Sequence, residues 1–412
     1  MTETLHEGVR KMSKPEIRFN GFDGEWEEKK INEISEINPH SELPVQFEYV
    51  DLESVSGTEI ISHRTEFKET APSRAQRLAK KGDVFYQTVR PYQKNNYFFN
   101  LDAKNYVFST GYAQLRTNLN GHFLLSILQS NNFVQNVLEN CTGTSYPAIN
   151  PTTLGNLKVS FPDNAEQKKL GALFAQIDSL IASTQKELDK LVSLKKCMLQ
   201  KMFPKKGSLV PEIRFKGFSG NWEEKKLGEI FRSISNAFVG TASPYYVENG
   251  HFYLESNNVK NGQINRNSEI FINDEFYYNQ RHKWLHENDI VMVQSGHVGH
   301  SAVIPKELDN TAAHALIIFT DKYKTTDSYF INYSFMTSIS VRQIEGITKG
   351  NTIKHILSSD MKNFIISIPN DYEEQQKIGS YFQNLDNLIS KQSAELEKLK
   401  NVKKTLLSKM FV

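Results

Sequence analysis

The sequence predicts an α+β protein: two pseudo-symmetric mixed α/β domains joined by two long antiparallel coiled-coil helices. Three observations carry this. PEIRFNGFDGEWEEKKINEI (residues 15–34) returns as PEIRFKGFSGNWEEKKLGEI (residues 211–230), with fifteen of twenty positions identical at an offset of 196. EQKKLGALFAQIDSLI and the rest of residues 166–203 return as residues 374–411 at an offset of 208. A repeat of this size means one structural unit used twice. The chain has 412 residues, and at about 150 residues per domain it holds two to three folding units.

In chain order, the first domain takes residues 15–162, the first long helix 163–204, the second domain 211–370 and the second helix 371–412. Inside the domains, β-rich runs at 83–89, 106–115, 289–294 and 312–319 are separated by Gly, Asn and Pro. Helical patterns lie at 122–139 and 326–344. Both interiors close on an apolar alternation into proline, Leu157-Lys-Val-Ser-Phe-Pro162 and Phe364-Ile-Ile-Ser-Ile-Pro369. Between the repeated ends the two interiors diverge, so similar scaffolds carry different faces.

The first helix places Leu170, Leu173, Ile177, Leu180, Leu188, Leu191, Leu194, Met198 and Met202 at a 3–4 spacing, with Thr184 as the polar exception. Its copy places Ile378, Tyr381, Leu385, Leu388, Leu396, Leu399, Val402, Leu406 and Met410, with Gln392 at the matching exception. This is a coiled-coil seam. Each helix would be about 60 Å long at 1.5 Å per residue. Both open with Asp-x-x-Glu (Asp163/Glu166 and Asp371/Glu374), the pattern of a capping box. A lone helix would leave its seam wet, so the two copies are expected to pack on each other.

Composition narrows the function classes. The chain is 39% hydrophobic and 23% charged with a mean hydropathy of -0.49, which is ordinary for a globular protein. No apolar run approaches the roughly 18–20 residues of a bilayer span, and the first residues have no signal-peptide core. Two cysteines, Cys141 and Cys197, build neither a disulfide framework nor a four-thiolate zinc site. A cytoplasmic protein is expected. Net charge is only +2, without the basic excess of most nucleic-acid binders. Residues 61–95 nevertheless hold eight basic against three acidic side chains.

Catalytic patterns are missing. There is no phosphate-binding GxxxxGK[ST] loop, no GxGxxG after a strand and no Asn/Asp-Pro-Pro-aromatic motif. His282 and His286 have helical ligand spacing with His297 and His300 nearby, but no Glu follows the first His as in zincins. Pro162-Asp163 with Glu166-x-Lys168 superficially matches a nuclease motif, but the second copy reads Glu374-x-Gln376. No catalytic residue and no metal ligand is assigned.

Binding chemistry is richer. Residues 87–96 leave a strand and offer Gln87, Thr88, Arg90, Tyr92, Lys94 and Asn95. Arg pairs bidentately with guanine and Asn or Gln with adenine, so the loop suits major-groove reading. An ion pair of Arg90 with Asp83 is the plainer alternative. The second copy holds Gln294, Ser295, His297 and His300 at the matching place, with glycines that permit close backbone approach. Two later loops, with Thr144, Ser145 and Tyr146 and with Lys349, Asn351 and Lys354, are polar and donor-rich. A helical adaptor for peptide or glycan, or a metal enzyme using the 282–300 histidines, stays open at this point.

The duplicated PEIRF-x-GF-x-G-x-WEEKK segments and EQ-x-K-(L/I)-G helices ending in KMF resemble the specificity subunits of type I restriction–modification systems. So do the Gly-Asp-Val and Asn-Asp-Ile strands and the Thr-Ser-Tyr-Pro-Ala-Ile-Asn-Pro-Thr-Thr-Leu turn. The resemblance covers the chain from about Pro15 onward. It implies two target-recognition domains, each reading one half of a bipartite, asymmetric double-stranded DNA site, with the helices setting the spacer. It further implies no catalysis and no cofactor on this chain. Two modification subunits using S-adenosylmethionine and two restriction subunits using ATP and Mg would be its partners. Trp26, Trp222, Lys195, Lys196, Lys403 and Lys404 are then expected to dock the modification subunits.

Overall fold

The computed structural model describes residues 14–143, 145–323, 325–350 and 354–412. Its contacts divide the chain into two compact units. One holds residues up to Glu187 together with Gln392–Val412, and the other holds Leu188–Lys391. Each unit thus combines one interior with parts of both long helices, and the helices form no separate body.

In the first unit an antiparallel sheet orders Ser35–Ile37, Tyr112–Thr117, Asp83–Gln87 and Tyr97–Phe98. A second sheet orders Arg64–Phe67, Gln46–Val50, Tyr106–Ser109 and Ala75–Leu78, with Gln46–Val50 parallel to Tyr106–Ser109. Asp83–Gln87 is buried at every residue because both its faces are covered. Val84 and Tyr86 join the core under the helices, while Phe85 stacks on Phe108 of the second sheet at 3.7 Å. The second unit repeats the plan. Phe231–Asn236, Leu316–Lys322, Ile290–Val293 and Ser301–Val303 form one sheet, and His251–Leu254 runs parallel to Ala312–Ala313 in the other.

The expected helical stretches are each split by a capped break. Gly121–Gln129 and Asn131–Glu139 meet at Ser130, whose Oγ accepts from the Phe133 N–H at 3.2 Å. Ser328–Ser334 and Ser338–Ile347 are separated by Thr337, which accepts from the Ser340 N–H at 3.3 Å. Such caps satisfy free N–H groups at the new helix start. No described helix is long and apolar enough to cross a membrane.

The repeated WEEKK segment is the strand that closes each interior. Glu27–Lys30 pairs antiparallel with Lys158–Phe161, and Glu223–Lys226 with Ile365–Ile368. Its tryptophan is core. Trp26 is 7% exposed against Phe123 and Phe411, and Trp222 is 1% exposed against Phe203 and Phe330. The KMF ends therefore fill these cores: Phe411 in the first unit, Phe203 in the second. Neither tryptophan offers its ring to a partner subunit.

Each long helix runs 38 residues, Asn164–Lys201 and Tyr372–Lys409. Within the first unit Lys403 pairs with Asp178 and Gln392 with Glu187, which makes the two segments antiparallel. The buried stripe differs from the expected seam. Leu180 and Leu388 are 52% and 51% exposed, and Leu194 and Val402 are exposed as well. Phe174, Phe382 and the supposed polar exception Thr184 are buried instead. The helices turn a wide face onto their globular cores, and a wide face shifts the stripe away from strict a/d positions.

The EQ-x-K-x-G motif has a local explanation. Gln167 donates to the Pro162 carbonyl at 2.8 Å and accepts from the Asn120 N–H at 3.2 Å. Gln375 does the same with Pro369 at 2.9 Å and Asp327 at 3.0 Å. A Cβ on Gly171 would stand 2.3 Å from Asn120 Oδ1, and one on Gly379 would stand 2.4 Å from Asp327 Oδ1. Asn120 and Asp327 are themselves helix caps, so the glycines let the long helices touch them. The capping-box expectation is half met. Asp163 accepts from the Glu166 N–H at 2.9 Å. Glu166 and Glu374, however, are fully buried and bind Arg18 and Arg214 bidentately.

Candidate nucleic-acid interface

In the first unit the 87–96 loop leaves the buried strand through two side chains that brace it. Gln87 is 2% exposed; its amide donates to Gln93 Oε1 at 2.8 Å and accepts from the Asn95 N–H at 3.2 Å. Thr88 is also buried and donates to the Gly111 carbonyl at 2.8 Å. These two residues were expected to read DNA, and their burial removes them from any ligand. Asn95 is engaged too, accepting from the Gly57 N–H at 2.9 Å.

Lys94 is equally committed. Its ammonium donates to the Gln129 carbonyl at 2.9 Å and Asn131 Oδ1 at 2.8 Å. Burial pushes its pKa down, helped by Lys403 and Lys404. It ties the loop to the end of Gly121–Gln129 and does not stand free as a phosphate grip.

What faces outward is Tyr92, Ser145 and Tyr146, the two tyrosines 50% and 64% exposed, with Arg90 half-buried beside them. The fold joins the two loops that carry them. Ala148 bridges both Val89 and Thr142, and the Arg90 N–H donates to the Pro147 carbonyl at 2.8 Å. The Arg90 guanidinium lies 4.5 Å from the centre of the Tyr146 ring. Asp83 does not pair with Arg90; it holds Arg116 at 2.9 Å and the Gln114 amide at 2.7 Å. Thr144 lies outside the described residues.

The second unit joins its two loops the same way. Ser295 and Lys349 both bridge His355, and the Gly296 N–H donates to the Lys354 carbonyl at 3.0 Å. A cleft of about 890 Å³ opens beside them, lined by His297, His300, Lys195, Lys196, Lys354 and Met336 among others. Gln294 is half-buried, His297 is exposed with Nε2 at 2.9 Å from the Ser256 carbonyl, and Lys354 is exposed. Burial lowers the His300 pKa, with His297 and Lys260 adding to it. Lys349 is tied to Asp360 at 2.9 Å. Asn351 lies outside the described residues.

The remaining histidines do not converge. His282 sits in the short turn Arg281–Lys283, and His286 pairs with Asp309 at 3.2 Å. Among the described residues no three His, Cys, Asp or Glu side chains gather as a metal site.

The expected docking lysines divide. Lys195 is bound to Asp386 and Lys403 to Asp178, with each side chain at most 15% exposed. They hold helices rather than partners. Lys196 and Lys404 are exposed. Sequence reading missed these pairs, although Asp178 and Asp386 are separated by the same 208 residues as Lys195 and Lys403.

The model of the type I restriction modification DNA specificity domain matches this chain twice, over residues 23–193 and 219–401. The chain belongs to that family. The two matches coincide with the two repeats. Among curated relatives, the type I restriction enzyme MjaVIII specificity subunit of Methanocaldococcus jannaschii is 25% identical over 279 residues, covering 65% of this chain and 64% of that one. The HindI specificity subunit of Haemophilus influenzae is 30% identical over 116 residues, 27% of this chain and 25% of its own. The chain thus spans just under two thirds of the first relative's length. A crystal structure of the type I restriction–modification S subunit of M. genitalium matches 97% of this specificity-family chain and 99% of its own. The TM-score is 0.67 at 14% identity, a likeness of fold.

Proposed function

We propose that this chain is the non-catalytic DNA-recognition subunit of a type I restriction–modification complex. Each unit reads one half of a bipartite, asymmetric site, and the long helices set the unspecified spacer. One observation carries this reading: each unit welds two polar loops onto the same strand end by the same bridges, yet fills them with unlike residues. The loops of the first unit carry Arg90, Tyr92 and Tyr146, and those of the second carry His297, His300 and Lys354. One scaffold with two unlike faces is what an asymmetric site requires. Phosphate contacts would position the duplex and base contacts would select it.

The family membership supports partners of two kinds. These are modification subunits using S-adenosylmethionine and restriction subunits using ATP and Mg, which carry the chemistry this chain lacks motifs for. Exposed Lys196 and Lys404 are the docking lysines that remain.

Methylation mapping of DNA from cells carrying the system tests the reading. Two half-sites separated by a fixed spacer are expected, and a site altered in one half only by Arg90→Ala. A heptad-like insertion at 184–195 should change the spacer and leave both half-sites alone. Unaltered methylation in both variants would sink the reading.

A further inference from the structure

We propose that Tyr146 is a positioning residue that fixes the Arg90 fork for reading one base pair. This rests on the reading of the 87–96 loop as a DNA-facing surface.

The two units make the argument by comparison. Arg90 and Gly296 occupy the same corner: each follows the bridged residue at the strand end, and each N–H donates to the late loop, at 2.8 Å and 3.0 Å. Both are left-handed, with φ of 54° for Arg90 and 83° for Gly296. Glycine adopts that conformation freely, whereas a residue with a Cβ does so at a cost. The scaffold therefore works with glycine, and the first unit carries an arginine there in spite of the strain. Strain of this kind is held where the side chain is needed.

The partner given to that side chain is equally informative. A carboxylate would occupy the in-plane N–H donors of the guanidinium, and none among the described residues does so. The Tyr146 ring takes up the charge instead, its centre 4.5 Å from the guanidinium carbon, and among the described residues no hydrogen-bond partner occupies the edge donors. Two neighbouring N–H groups on that edge match the O6 and N7 acceptors of guanine in the major groove. Being 64% exposed, Tyr146 does not stand there to fill the core. Its ring restricts a long side chain before binding, so less rotational freedom is lost when the base is read.

The test uses the full chain, purified with the subunits that accompany it, and a pool of randomised duplexes. Wild type and Tyr146→Phe are expected to enrich the same sequence. Arg90→Gly and Tyr146→Ala should each lose about tenfold or more of the preference at one and the same base pair. Arg90→Gly should melt no lower than wild type, since it relieves the corner. A Tyr146→Ala variant that keeps full preference, or that loses affinity evenly for every sequence, overturns the positioning role while leaving Arg90 as reader. An enriched sequence unchanged in Arg90→Gly, or no enrichment by wild type, overturns the DNA reading of this loop and the proposal with it.

Discussion

Lys403 and Asp178 meet across the two long helices at 2.5 Å, and the repeat reproduces the relation in the second unit as Lys195 with Asp386. Both pairs are tied further into their own unit. Lys403 donates to Gln129 Oε1 at 2.7 Å, and Asp386 accepts from the Tyr333 hydroxyl at 2.8 Å. These charges are mostly shielded from water, so each depends on the other.

Removing one of them should act on stability first. Lys403→Met is expected to cost about 1–3 kcal/mol because Asp178 is left partly buried and uncompensated. Adding Asp178→Asn should return part of that loss. Urea unfolding of the two variants and the double variant measures it, and additive losses would deny the coupling.

Gly171→Ala should destabilise the first unit although alanine is the better helix former by about 1 kcal/mol. Its Cβ would meet the Asn120 carboxamide at 2.3 Å and the Phe123 nitrogen at 3.0 Å. Pushing the helix off that cap is expected to cost about 1–3 kcal/mol in total. Thermal unfolding followed by circular dichroism decides the sign.

Phe203 lies two residues beyond the end of the helix that begins in the first unit, and its ring stacks on Phe330 at 5.3 Å in the core of the second. Phe203→Ala is expected to cost about 3–5 kcal/mol of stability there. Hydrogen exchange should quicken around Trp222 and Phe330 and stay unchanged around Trp26. The opposite pattern would contradict the division of the cores.

His314 and Glu255 make the second unit sensitive to pH. Glu255 holds the imidazole at 3.5 Å and raises its pKa above the usual 6.5, and His314 lowers that of Glu255 below 4.5. The histidine contribution is complete below its unfolded pKa and fades as pH rises through the raised value. The glutamate contribution is present above its unfolded pKa and fades as pH falls through the lowered one. Stability of the second unit should therefore decline by this term as pH rises above about 6.5, through the raised histidine value, and His314→Gln should flatten the decline. Urea midpoints across that range check it.

The two-fold repeat, the long helices and the buried strands at 83–87 and 290–293 were legible in the sequence, because spacing and hydrophobic alternation are local properties of the chain. So were the loops that form the candidate interface, since they follow strand ends and are rich in donors. The roles of single side chains were not legible. Gln87 and Lys94 have the chemistry of base and phosphate contacts, and only tertiary packing shows that chemistry already spent on Gln93, Asn95, Gln129 and Asn131.

Trp26 and Trp222 looked like docking surfaces until the KMF ends were seen to cover them. Tertiary structure also decided that Arg90 meets Tyr146 rather than Asp83. A sequence determines which groups a segment offers; a polar group's partner is decided by distance, and distance across the chain exists only once the core has closed.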